Sequence, residues 1–187
     1  GERVAALSGH SLNRPLRLEI IERAGGTGAW AIVDQVVLQN IFVPWFDYPL
    51  YLDLEGDVAV VSSESNASTI GCVVVCERGT NGAWSETAML APPSHVPTGG
   101  FVWSVRDLAV HGDEVAVIRS TSNGATQTVL HLYRRVANGE WAIVERLSLD
   151  AVFGSAVAST ELSVAFDGTI ESLCQRGRKP SFFLATR

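Results

Sequence analysis

Residues Gly71 to Leu90 read GCVVVCERGTNGAWSETAML, and their reading decides the fold. Cys72 to Glu77, three of them valine, make an apolar run with a strand-forming bias. A polar Gly79-Thr80-Asn81-Gly82 turn follows, and a second strand restarts at Trp84. The stretch is therefore a β-hairpin. The same arrangement occurs at LRLEIIERAGGTGAWAIVDQVVL (Leu16 to Leu38) and VLHLYRRVANGEWAIVERLSL (Val129 to Leu149). Each copy carries a basic residue, a glycine-bearing turn and a tryptophan in corresponding places. Trp30, Trp84 and Trp141 are 54 and 57 positions apart.

A second copied segment sets the content of the repeat. LDLEGDVAVVSS (Leu52 to Ser63) matches LAVHGDEVAVIRS (Leu108 to Ser120), with Gly56-Asp57 against Gly112-Asp113, 56 positions apart. Each reads as strand, tight acidic turn, strand. Joined to the hairpin, this gives four strands per repeat of about fifty-five residues, which is the content of one β-propeller blade.

The Gly-Asp turn, the apolar strand, the Gly-Cys-Val-Val-Val-Cys-Glu-Arg run, the glycine-rich turn, the tryptophan and the closing leucine resemble bacterial propeller repeats of the FG-GAP type. These are distantly similar to the integrin α-subunit propeller. Phe153-Gly154-Ser155-Ala156-Val157-Ala158 resembles the phenylalanine-glycine start of such repeats. The chain departs from the integrin pattern in having no Asp-x-Asp-x-Asp-Gly run, so no calcium loop is expected.

On this reading the chain is all-β, a single propeller domain or a section of a larger propeller. It divides into a partial blade over 1–40, blades over 45–91 and 101–148, and a partial blade over 153–187, roughly three and a half four-stranded blades. The alignment of Gly1 to Ser8 with Gly112 to Arg119 opens the chain at the second strand of a blade. Incomplete blades leave strand edges unpaired, so self-association or further blades from a longer chain are expected.

Composition bounds the function. With 187 residues and 47% hydrophobic content there is ample material for a core, and a net charge of -6 argues against nucleic-acid binding. No run of about 18 apolar residues is present to insert into a bilayer as a helix. Cys72 and Cys76, four apart on one strand, cannot bridge each other and are expected as buried free thiols on one face. Cys174 lies in a different repeat.

Chemistry is sparsely signalled. His10, His95, His111 and His131 fall singly in different repeats, without metal-ligand spacing, so no metal or cofactor is expected. No Gly-x-Ser-x-Gly elbow occurs, and Gly25-Gly26-Thr27-Gly28 is followed by a strand rather than by the lysine and helix of a phosphate loop. Asp53, Glu55 and Asp57 crowd one turn, and propeller glycosidases use paired acids. Asp57 recurs as Asp113 and Asp167, however, which points to a turn role in which the side chain bonds nearby backbone amides. Trp30, Trp84 and Trp141 recur once per blade and are expected to pack between blades.

Trp45, Phe46, Asp47, Tyr48 and Trp103 sit in or beside connections, outside the repeated core pattern. They either plug the ring face or form a ligand-facing aromatic patch, and a patch of this kind engages a protein or a glycan. The expected function is a non-enzymatic binding or scaffold module of a secreted or surface bacterial protein. The alternative is a propeller glycoside hydrolase or lyase whose acids come from several blades.

Overall fold

The computed structural model describes residues 2–8, 16–23, 25, 27–39, 50–62, 71–93, 103–121, 127–153, 162–166 and 170–175. The chain is all-β, with antiparallel sheets that follow one another in sequence. The first sheet holds β1 (Glu2–Ser8), β2 (Arg17–Arg23) and β3 (Trp30–Val37). The second holds β4 (Leu52–Glu55), β5 (Val58–Ser62), β6 (Val73–Arg78) and β7 (Trp84–Leu90). The third holds β8 (Trp103–His111), β9 (Glu114–Thr121), β10 (Thr128–Arg135) and β11 (Trp141–Ser148). A helical turn, α1 (Leu149–Phe153), leads to a two-stranded sheet of β12 (Leu162–Phe166) and β13 (Ile170–Gln175).

Each sheet is a meander in which every strand pairs with the next, and the hairpin expected at Gly71 to Leu90 is β6 paired with β7. Its register sets Arg78 opposite Trp84, as Arg23 stands opposite Trp30 and Arg135 opposite Trp141. The tight turns between β4 and β5 and between β8 and β9 are closed by Gly56 at φ 56° and Gly112 at φ 54°, a left-handed backbone that glycine adopts without a Cβ penalty.

Strand alternation sorts the side chains into layers. Along β5, Ala59 and Val61 join Leu18, Ile20 and Val36 of the first sheet in one core, while Val60 points the other way and joins Leu108, Val110, Val115 and Val117 of the third. Along β9, Val115 and Val117 face the second sheet, and Ala116 and Ile118 face Leu149 and Val164. The sheets therefore stack face to face in chain order. A strand buried on both sides needs an unbroken apolar run, and VVVC in β6 supplies one.

The outermost strands pay less attention to the core. Trp30, Ile32 and Val33 of β3 and Ile143 and Val144 of β11 are all exposed. Of the recurrent tryptophans only Trp84 is buried, at 6% exposure, and Trp30 stands at 46%. The expectation that all three pack between sheets is thus met by Trp84, whose ring lies 5.6 Å from the Arg3 guanidinium of the first sheet. Trp141, partly buried against the core between the second and third sheets, meets it in part, and Trp30 does not; both stack with their own cross-strand arginines, Trp30 with Arg23 at 5.9 Å and Trp141 with Arg135 at 5.1 Å.

Candidate functional site

Carboxylates are the first place to look for chemistry, and the structure commits several of the described ones to holding one sheet to the next. Asp53 on β4 accepts the N–H of its own neighbour Leu54 through Oδ1 at 2.9 Å and the N–H of Val110 in the third sheet through Oδ2 at 2.8 Å. Asp107 on β8 repeats this 54 positions on, accepting from Leu108 at 2.9 Å and from Val164 in the last sheet at 2.8 Å. Asp34 on β3 does the same toward the second sheet, accepting from Gln35 and from Trp84 at 2.7 Å. Burial raises the Asp107 carboxyl above the usual range, opposed by its two backbone donors.

The Gly-Asp turns differ from the sequence expectation. The Asp57 and Asp113 side chains face arginines rather than nearby amides: Asp57 Oδ1 is 3.0 Å from Arg3 Nη1, and Asp113 Oδ1 is 3.1 Å from Arg135 Nε. The turn aspartates offer their backbone carbonyls to the N–H groups of Arg78 and Arg135. The physical reason is an arginine beside each turn, Arg3 from the first sheet for Asp57 and the hairpin's own Arg135 for Asp113, which a carboxylate prefers to a neutral amide. Glu55 reaches its own repeat counterpart, lying 2.9 Å from His111 Nδ1 and accepting the Gly112 N–H at 2.7 Å.

The structure gathers a polar cluster elsewhere, between the second and third sheets. Arg119 on β9 is fully buried. Its Nε donates to Gly71 O at 3.3 Å, its Nη2 to Leu90 O at 2.9 Å, and its Nη1 to Tyr133 Oη at 2.8 Å. Nη1 also lies 3.4 Å from His131 Nδ1, and the guanidinium stacks 5.3 Å from the Tyr133 ring. The Tyr133 hydroxyl donates its own hydrogen bond to Ala91 O at 2.7 Å. Among the described residues no carboxylate lies within ion-pair distance of Arg119, so carbonyl dipoles and a ring face carry the charge.

His131 and Trp103 complete the cluster. Their rings meet edge to face, with centroids 5.9 Å apart at 75°. His131 is fully buried, and burial together with the Arg119 and Arg146 charges drives its pKa down to about 3, so the ring is neutral. Cys72 lies in the same neighbourhood, its thiol pushed up by burial with the Arg119 charge opposing. Both Cys72 and Cys76 are buried free thiols, and burial with the Glu86 and Glu77 charges pushes Cys76 to about 12, which leaves it unreactive.

Of the expected site residues, Trp45, Phe46, Asp47 and Tyr48, with His95, lie outside the described residues. Trp103 is described, and it opens β8 with 3% of its surface exposed. Its carbonyl accepts the Gly71 N–H at 3.1 Å, which stitches the second sheet to the third. Among the described residues no three His, Cys, Asp or Glu side chains gather as a metal site, and no helix is long and apolar enough to cross a membrane.

Sequence reasoning missed Arg119, Tyr133 and the buried role of His131, although the repeat contains their signal. With Gly56 set on Gly112 and Arg78 on Arg135, His131 and Tyr133 occupy the places of Val74 and Cys76, and Arg119 that of Ser63. Three large polar groups thus replace small or apolar ones on a face that is otherwise hydrophobic. No family model, no curated protein and no solved structure matches the chain.

Proposed function

We propose that the stacked meanders are blades of an FG-GAP-like β-propeller and that the chain serves as a non-enzymatic binding or scaffold module of a secreted or surface bacterial protein. The observation that carries this reading is the use of the acids. Asp34, Asp53 and Asp107 are spent on amides of the following sheet, and Asp57 and Asp113 on arginines. A hydrolase needs two carboxylates facing a common space, and these face backbone and guanidinium groups instead. The stacking of consecutive four-stranded meanders with a repeat near fifty-five residues supports the propeller.

The partner on this reading is a protein or a glycan, met by the connecting segments that carry Trp45, Phe46, Asp47 and Tyr48. Connections are where a packed β scaffold has side chains to spare. The test is retention on immobilised glycans and candidate surface proteins, with Trp45→Ala and Tyr48→Ala compared at equal thermal stability. Loss of retention in the variants supports the reading. Release of reducing sugar from a polysaccharide by the unmodified chain overturns it in favour of the glycoside hydrolase or lyase.

A further inference from the structure

Among the described residues, the Trp103, Arg119 and His131 cluster has more buried donors than acceptors to receive them. A guanidinium has only donors, so His131 Nδ1, 3.4 Å from Arg119 Nη1, is the acceptor of that contact. The neutral ring therefore carries its proton on Nε2. That Nε2–H is buried and meets no acceptor among the described residues. The indole Nε1–H of Trp103, a group that can only donate, is likewise buried and without an acceptor among the described residues.

Two unsatisfied N–H donors thus stand on rings in contact, one of them bonded to a buried cation that no described carboxylate neutralises. Leaving such donors unpaired is costly, and a site of this kind calls for an acceptor. A neutral acceptor satisfies the donors alone, whereas a negative one also offsets the guanidinium. The polar side chains here also interrupt the repeat, where Val74 and Cys76 hold the equivalent places. A repeat that gives up apolar packing at one interface only does so for something that its other interfaces lack.

We propose that the interface of the second and third sheets binds a small monovalent anion of the halide class, held by His131 Nε2–H and Trp103 Nε1–H beside Arg119. The anion is a structural ligand of the folded chain and locks β8 to β10. The proposal is independent of what the connecting segments bind.

The experiment is thermal or urea unfolding of the full chain in sodium chloride against sodium gluconate at constant ionic strength, which removes screening from the comparison. Gluconate is too large for a closed interface. An anion that binds the folded state alone makes the unfolding equilibrium constant fall about tenfold for each tenfold rise in chloride above its dissociation constant. Trp103→Phe keeps the ring and deletes one donor, and it is expected to lose most of this dependence. Indifference of the unmodified chain to the anion, or an unchanged dependence in Trp103→Phe, overturns the proposal. Should Trp103→Phe not fold, crystals of the unmodified chain grown in sodium bromide decide: anomalous density within hydrogen-bonding reach of both donors upholds the site, and a water or no density there refutes it.

Discussion

The Asp53 carboxylate accepts the backbone N–H of Val110, 57 residues further on and in the next sheet, at 2.8 Å. Asp107 and Val164 stand in the same relation at the same separation and the same distance. One carboxylate oxygen is held by its own chain neighbour and the other reaches across, so each aspartate is aimed before the sheets meet. Face-to-face sheets held by valines alone can slide, because dispersion is nearly indifferent to small displacements. A directed bond fixes their register.

Asp107→Ala is expected to cost about 1–3 kcal/mol, the penalty for orphaning a buried amide, with part of it at the Val164 N–H. Asp107→Asn keeps one acceptor oxygen and is expected to lose less. Urea denaturation of both variants checks this, and a neutral Asp107→Ala would show that the apolar contacts alone hold the last sheet.

The repeat was legible because hairpin signals are local. Trp84, the Gly-Thr-Asn-Gly turn and the valine run needed only neighbours to be read, and β7 starts at Trp84 as expected. The aspartate links were not legible, because Asp53 and Asp107 precede leucines on strands whose hairpins differ by two residues in length, which hides their equivalence when glycines are aligned. The Arg119 cluster depends on which face of β9 and β10 meets which sheet. That is a property of stacking rather than of any one strand. His131 read as an unremarkable strand histidine for the same reason.

The pH dependence of stability is expected to carry a His131 signature. Burial lowers its pKa in the folded chain from 6.5 to about 3, so the unfolded chain binds the extra proton between those values. The contribution is fully present above pH 6.5 and is lost as pH falls toward 3. The slope is at most about 1.4 kcal/mol per pH unit, the value for one proton. His131→Phe removes that slope. Unfolding free energies at pH 7, 6, 5 and 4 in both proteins isolate it, because other titrations cancel in the difference. Asp107 acts in the opposite sense, since its raised pKa gives a contribution that fades as pH rises from the ordinary carboxylate range.

Arg119→Met is expected to destabilise by about 3 kcal/mol or more. Methionine fills much of the space, but Gly71 O, Leu90 O and Tyr133 Oη each lose a donor in the interior. Arg119→Lys keeps the charge and fewer donors, so it should fall between the two. If methionine instead stabilised the chain, the buried cation would be a liability retained for something other than folding.

Gly71 gives the sharpest steric test. A Cβ built there meets the Trp103 carbonyl oxygen at 2.6 Å, and both atoms belong to backbone with little room to yield. The same residue donates its N–H to that oxygen at 3.1 Å and offers its own carbonyl to Arg119 Nε. One methyl group therefore pushes on the bridge between the second and third sheets and on the guanidinium's support together. Gly71→Ala is expected to cost about 1–3 kcal/mol through overpacking, although alanine ordinarily favours a folded chain by restricting the unfolded one. Gly56 has no atom within 4 Å of its built Cβ, but its φ of 56° makes alanine there a conformational change alone. Comparing the two variants by urea denaturation separates the effects. A Gly71→Ala no more destabilised than Gly56→Ala would mean that the bridge to Trp103 gives way easily, and that the Arg119 cluster is less tightly held than its contacts imply.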